Sequence, residues 1–135
     1  MAEPVLVAAR GWLLKAEHDL ASARKLASEP DPYLDTAIYH CQQAAEKALK
    51  GWLTYRGVRF DRTHDVRHLV AHAAEHEPAF RHLAEAGQVL TPYASAYRYP
   101  DEVLEPDPEE FEEALQHAAS VYGFVLSLLP PGARP

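Results

Sequence analysis

Four polar side chains that together could bind a nucleotide recur at helical spacing in one segment of the chain. Gln43, Glu46, Lys47 and Lys50 fall on one side of a helical wheel. The other side carries an apolar stripe at the spacing of a buried helix face: Leu34, Ala37, Ile38, Cys41, Ala44, Ala45, Ala48, Leu49 and Trp52. Two bases can hold a phosphate while an acid and an amide hydrogen-bond a base or a sugar. The same polar group also fits a solvated face with one i, i+4 salt bridge, Glu46 to Lys50.

A second set of candidate residues surrounds Arg98. Tyr97 and Tyr99 flank it in the chain, and Tyr93 lies one helical turn earlier. An arginine beside aromatic rings can hold a phosphate while a ring stacks on a base. An arginine that closes over tyrosines packed at the end of a helical bundle has the same composition. The residue types favour neither interpretation over the other.

Four histidines, His64, His68, His72 and His76, recur every four residues in the third predicted helix. The row drifts around the helix, so we predict that the first three face solvent and that His76 approaches the flank of the core. A histidine pair at i, i+4 can place two ring nitrogens on one metal ion. Because no cysteine or acidic cluster completes such a site, we predict a surface histidine face, no metal ion and no other cofactor.

Length and cysteine usage predict one cytoplasmic domain. The 135 residues can bury a core of their own, so we expect a single domain over residues 1–135. One cysteine excludes an internal disulfide, and we see no signal peptide and no apolar run long enough to span a membrane. The lack of asparagine and the proline-rich loops resemble the composition of thermophile proteins.

Charge is unevenly distributed along the chain. The net charge of -7 argues against broad nucleic-acid binding through a basic surface. Six of the 13 lysines and arginines nevertheless lie within positions 47–67, and eight acids without a base lie within positions 101–113. A basic end of this kind can bind phosphate locally, or it can associate with the acidic end of another copy.

Apolar periodicity predicts an all-α chain. The predicted helices cover residues 3–26, 32–56, 64–77, 78–97 and 108–129, and Trp12 belongs to the apolar stripe of the first. Asp31, Thr63 and Asp107 are the predicted N-caps, and Gly57 ends the second helix before a basic loop. The last of these helices is the clearest, because Asp107 is followed by Pro108 and by Glu110. Short connections indicate an antiparallel up-and-down four-helix bundle whose third helix is broken, so that a count of five helices also fits.

Three segments of the chain together resemble the HEPN family (higher eukaryotes and prokaryotes nucleotide-binding domain). They are Gln42–Lys50 (QQAAEKALK) in the second predicted helix, Thr63–Val66 with Leu69 in the third, and Arg98–Pro100 after the fourth. The resemblance covers nearly the whole chain. It implies a four- or five-helix bundle, commonly dimeric, that associates with nucleotides or RNA. It also implies a small nucleotidyltransferase as a partner in a two-component system.

One branch of this family consists of RNA-cleaving toxins, and the chain departs from its pattern. Those toxins carry an arginine followed after four to six residues by a histidine, in a late helix or its lead-in. After Arg98 the next histidine is the distant His117. The spacing does occur earlier in the chain, at Arg59 and His64, Arg62 and His68, and Arg67 and His72. Because these pairs lie outside the expected part of the chain, we predict that no residue is catalytic.

Our preferred hypothesis is a non-catalytic, HEPN-type module that associates with a nucleotide or RNA and acts with a nucleotidyltransferase in a toxin–antitoxin-like pair. The predicted nucleotide-binding residues are Gln43, Glu46, Lys47, Lys50, His64, Arg98 and Tyr99. One alternative is a metal-independent endoribonuclease toxin. Another is a dimerisation or protein-interaction bundle that uses the polar face of the second helix.

Overall fold

The computed structural model describes residues 3–28, 30–100 and 104–135, and within these ranges the chain is all-α without strands. Five helices pack up and down: α1 (Glu3–Ser28), α2 (Leu34–Tyr55), α3 (Val66–His76), α4 (Ala84–Leu90) and α5 (Pro108–Ser127). Short 3-10 helices cover Pro78–Leu83, Thr91–Ala94 and Pro131–Ala133. The predicted all-α bundle is confirmed, and the break in its third helix produces the count of five. No helix in these ranges is both long and apolar enough to cross a membrane.

α2 is the central helix of the bundle. It packs mainly against α1 and also contacts α3 and α5. Its predicted apolar stripe is confirmed, because every member except the half-buried Leu34 is buried. Trp52 closes the core at one end, where its ring centroid lies 4.6 Å from that of Phe80.

The polar side of α2 is largely covered by the rest of the protein, so the interpretation of this side as a solvated face is wrong. Glu46 is 4% exposed and Lys50 is 8% exposed, while the neighbouring Gln42 is fully buried. Side chains of α1 and the loop before α3 cover this side and pair with it. A helical wheel shows only the periodicity of polar residues along the helix. It does not distinguish a polar face that contacts other polar side chains from one that contacts water.

Two of the three predicted helix caps are wrong, and one is confirmed. α2 begins at Leu34 rather than at Pro32, since the Tyr33 N–H is held by the Leu26 carbonyl of α1. Asp65 rather than Thr63 caps α3, and its carboxylate accepts from the His68 N–H at 3.1 Å. Asp107 caps α5 as predicted and accepts from the Glu110 N–H at 2.8 Å.

The fourth predicted helix does not continue past Pro92. α4 ends at Leu90, the next residues form a 3-10 turn, and Tyr97 has a φ of 67°. That left-handed conformation turns the chain back towards α2 and brings Arg98 to the side of the bundle.

Candidate functional site

A buried carboxylate on α2, that of Glu46, fastens the loop before α3 to the helix. Lys50 Nζ donates to Oε2 at 2.8 Å, and His64 Nδ1 lies 2.9 Å from Oε1. Gln42 Nε2 donates both to Oε1, at 3.1 Å, and to the His64 carbonyl, at 2.8 Å. Burial acts to raise the pKa of Glu46, but the hydrogen bonds from Lys50, His64 and Gln42 together outweigh it and lower the pKa. Glu46 is therefore a charged clamp inside the protein.

A second carboxylate, that of Asp19 on α1, joins the same side of α2. It accepts from Lys47 Nζ at 2.8 Å and lies 2.8 Å from His40 Nδ1. Burial acts to raise the pKa of Asp19, whereas the bonds to His40 and Lys47 lower it and prevail. The positive charge of Lys47 is thus offset within the protein.

The clamped loop forms one wall of a cleft of about 480 Å³, which we call the Trp12 cleft. Its lining residues are Trp12, Lys50, Phe60, Arg62, Thr63 and His64. The Trp12 and Phe60 rings meet edge to face with centroids 6.3 Å apart. Lys50 Nζ lies 5.8 Å from the centre of the Trp12 ring. Aromatic surface and positive charge therefore meet in one concave site.

Arg62 and His64 give this cleft its open polar groups. Arg62 is exposed and makes no ion pair or side-chain hydrogen bond among the described residues. His64 is 74% exposed at its side chain, and its bond to Glu46 uses Nδ1 and turns Nε2 outwards. The cleft can accept an anion at Arg62 and a proton or hydrogen bond at His64.

A second cleft of about 300 Å³, the Tyr39 cleft, lies towards the first turn of α2. It is lined by Asp35, Thr36, Tyr39, His40, Tyr97 and Arg98. The Arg98 guanidinium lies 4.1 Å from the centre of the Tyr39 ring, and Nη1 donates to the Ala94 carbonyl at 3.1 Å. No carboxylate pairs with Arg98 among the described residues. Within the described part of the chain, the Arg98 guanidinium therefore has further N–H groups, besides the one on Ala94, that could donate to an anion.

The HEPN domain model matches residues 9–128. The chain belongs to the HEPN family. A search of solved structures gives an archaeal HEPN homologue with a TM-score of 0.69 and 28% identity, over 89% of this chain and 96% of that one. A search of curated proteins gives no match. HEPN domains are commonly associated with nucleotidyltransferases.

The HEPN fold separates the predicted site residues into groups. Lys50 and His64 line the Trp12 cleft, and both hydrogen-bond to the buried Glu46. Gln43 lines neither cleft, and its Nε2 donates to Gln42 Oε1 at 2.7 Å. Lys47 lies between the clefts on Asp19. Arg98 belongs to the Tyr39 cleft, and Tyr99, 62% exposed, follows it in the chain.

Two of the three tyrosines around Arg98, Tyr93 and Tyr97, pack the end of this HEPN bundle. The hydroxyls of Tyr93 and Tyr97 donate to the Glu110 carboxylate of α5 at 2.7 to 2.9 Å, and their rings stack. Burial and the Glu110 charge raise the pKa of Tyr93. Arg98 itself turns away to Tyr39, so the two sequence interpretations apply to different residues.

Sequence reasoning missed several residues that line or support the clefts: Trp12, Asp19, Tyr39, His40, Phe60 and Arg62. Trp12 was assigned to the core stripe of α1, and in the structure it is half-buried beside Phe60. Arg62 does lie in the loop whose basic composition the sequence shows. No local signal pairs that loop with α1, because nearly fifty positions separate Trp12 from Phe60.

The histidine row differs from its prediction. His64 precedes α3, and His68 is exposed as predicted, but the half-buried member is His72, whose Nδ1 is buried without a hydrogen-bond partner. His76, predicted at the core flank, is exposed. No group of three or more metal-ligating side chains occurs in the described part of the chain.

A third groove, of about 410 Å³, lies between α3 and α4 and contains none of the predicted site residues. Val70, Ala71, Ala74 and Ala84 contribute to its lining, with Arg67 and Arg81 beside them.

Proposed function

We propose that this HEPN protein is a non-catalytic module that binds a nucleotide or RNA phosphate. It acts beside a nucleotidyltransferase partner in a toxin–antitoxin-like pair. The observation that supports the proposal is the Trp12 cleft, where the Arg62 guanidinium, which has no carboxylate partner among the described residues, lies beside an aromatic pair.

The chemistry of the Trp12 cleft matches the two parts of a nucleotide. The Trp12 and Phe60 rings offer a surface on which a base can stack, an interaction that every base can make. Arg62 presents a fork of N–H donors that fits the oxygens of a phosphate. His64 Nε2 adds a hydrogen-bonding group at the cleft mouth. The charge of Lys50 is largely offset by Glu46, so Arg62 supplies most of the local attraction.

The other predicted site residues on α2, namely Gln43, Glu46 and Lys47, lie behind or beside the Trp12 cleft and do not line it. Glu46 is saturated by Lys50, His64 and Gln42, and its burial keeps it from a ligand. In this proposal Glu46 positions His64 and the loop that carries Arg62. Gln43 and Lys47 are half-buried on the floor beyond the cleft.

Calorimetric titration with a nucleoside monophosphate and with its nucleoside tests the proposal. We expect the monophosphate alone to bind measurably, and Arg62→Ala and Trp12→Leu each to weaken binding about ten-fold. Arg81→Ala, which removes an exposed arginine outside the cleft, is the matched control and should bind as the wild type does. No binding by the wild type, or equal loss in the control, overturns the proposal.

The partner in this proposal is a nucleotidyltransferase, and the module itself is a homodimer. Co-expression with a nucleotidyltransferase encoded beside this chain should yield a complex that survives gel filtration. Light scattering of the chain alone should give twice the mass of one chain. A lone monomer under both conditions contradicts this part of the proposal.

One observation favours a second candidate function, a metal-independent endoribonuclease. The Glu46 carboxylate orients His64 and leaves Nε2 exposed beside Arg62. A histidine held in this way can accept a proton from a 2′-hydroxyl while an arginine stabilises the phosphate charge.

Incubation with tRNA and mRNA in the presence of a chelator separates the two candidates. Cleavage that persists in the chelator, is lost in His64→Ala and is kept in His72→Ala would establish the nuclease. Intact RNA with the wild-type protein would support the binding module.

A further inference from the structure

We infer that the ligand of this protein is a single-stranded nucleic-acid chain that occupies the Trp12 cleft and the Tyr39 cleft at once. The inference rests on the proposed function and adds to it the length and the path of the ligand.

Both clefts open over one face of α2. Thr36, His40, Gln43, Lys47 and Lys50 recur three or four residues apart, so their side chains lie along a single stripe. The first two line the Tyr39 cleft, and Lys50 lines the Trp12 cleft.

The stripe remains accessible between the clefts. Gln43 is half-buried, and Lys47 is 26% exposed at its side chain. α1 borders the stripe on one side through Asp19, and the loop before α3 borders it on the other through His64. We call this path the α2 groove. From Tyr39 to Lys50 it is about 16 Å long, at 1.5 Å per residue.

Among the described residues, each end of the α2 groove has one arginine without a carboxylate partner and at least one aromatic ring, and the Asp35 side chain also lines the Tyr39 end. At one end these are Arg62 with Trp12 and Phe60. At the other they are Arg98 with Tyr39.

The lysines between the ends are neutralised, Lys47 by Asp19 and Lys50 by Glu46. Along the α2 groove, the positive charge available to a ligand is therefore that of Arg62 at one end and Arg98 at the other, with a polar floor between them. A mononucleotide carries its phosphate and base close together and reaches one end only. A chain of several nucleotides presents a phosphate and a base to both ends.

Single-stranded nucleic acid fits this arrangement better than a duplex does. Stacking on tryptophan, phenylalanine or tyrosine needs an unpaired base, because a paired base is stacked on its neighbours. The net charge of -7 of the whole protein also disfavours the long basic surface that a duplex requires.

Affinity measured against chain length tests the inference. Calorimetry with the full chain would compare a mononucleotide, a dinucleotide, a tetranucleotide and an octanucleotide of one base. We expect affinity to rise ~100-fold from the mononucleotide to the octanucleotide, since the second contact becomes intramolecular. We expect the affinity to stop rising at about four nucleotides, which is near the lower end of known single-strand site sizes.

Substitutions in the Tyr39 cleft test whether that cleft causes the rise in affinity with chain length. In Arg98→Ala the ratio of octanucleotide to mononucleotide affinity should fall about ten-fold, and Tyr39→Leu should act in the same direction. Arg81→Ala should keep the wild-type ratio. Circular dichroism would verify that each variant is folded, and a lower salt dependence in Arg98→Ala would identify a lost phosphate contact.

The outcomes separate this inference from the proposed function. Mononucleotide binding without a rise in affinity with length, or a rise that Arg98→Ala leaves intact, overturns the two-cleft ligand alone. No binding of any length overturns both. Parallel RNA and DNA series identify the sugar, since preference for RNA requires a 2′-hydroxyl contact.

Discussion

At the scale of single residues, the buried Glu46 carboxylate connects the stability of the protein to the shape of its candidate site. It offsets the charge of Lys50, which is 10% exposed at its side chain, and it holds His64. Glu46→Gln keeps the side-chain size but leaves the Lys50 ammonium without its anion. We expect a loss of roughly 3 kcal/mol in the free energy of unfolding, measured by urea denaturation.

The matched control for that substitution is Glu75→Gln. Glu75 is exposed on α3 and makes no ion pair among the described residues, so its change should stay within about 0.5 kcal/mol. A similar loss of unfolding free energy in both variants would show that the Glu46 interactions do not contribute more to stability than an exposed glutamate does.

The thiol of Cys41 should be inert in the native protein. It is fully buried, and burial raises its pKa to about 12. Because the thiolate is the reactive form, a thiol reagent should modify Cys41 only when the protein unfolds. The labelling rate should rise with urea in parallel with the loss of helical circular dichroism. Fast labelling in buffer would contradict this burial.

At the scale of helices, the packing of α1 on α2 depends on a glycine. A Cβ atom at Gly51 would overlap Leu13 Cδ2 and lie 3.0 Å from Trp12 Cβ. Gly51→Ala should therefore lower the free energy of unfolding by about 2 kcal/mol and shift Trp12, although alanine favours helix formation. Thermal denaturation measures the loss, and tryptophan fluorescence reports the shift.

Gly11 on α1 provides the opposite case. A Cβ there meets nothing within 4 Å, so Gly11→Ala should stabilise the protein by about 1 kcal/mol. Opposite signs for the two substitutions would establish close packing at Gly51, whereas two stabilised variants would exclude it.

At the scale of the whole molecule, two buried carboxylates should make stability fall in acid. The pKa values of Asp19 and Glu46 are lowered in the folded protein from their ordinary values of 3.8 and 4.5. The unfolded chain therefore binds these protons first as pH falls. The stabilisation is complete well above 4.5 and is lost as pH falls through the lowered folded values.

Urea denaturation at a series of pH values measures this loss. Glu46→Gln should flatten the acid limb of the curve, and Glu75→Gln should leave it as steep as in the wild type. An equally steep limb in Glu46→Gln would assign the acid sensitivity to other carboxylates.

The sequence by itself determined the all-α class, the approximate positions of α1, α2, α3 and α5, the buried stripe of α2, the Asp107 cap and the Glu46–Lys50 pair. Each of these depends on residues within one or two helical turns, so periodicity and spacing contain the necessary information. The segments that indicate the HEPN family are equally local.

Only the tertiary structure decided that the polar side of α2 is internal and that its residues serve two clefts. Asp19 reaches Lys47 across two helices, Trp12 meets Phe60, and Arg98 stacks on Tyr39. These contacts join positions far apart in the chain, and the packing of α1 and the turn at Tyr97 fix them. A helical wheel gives the direction in which a side chain leaves its own helix. It does not identify which residues from the rest of the chain that side chain contacts.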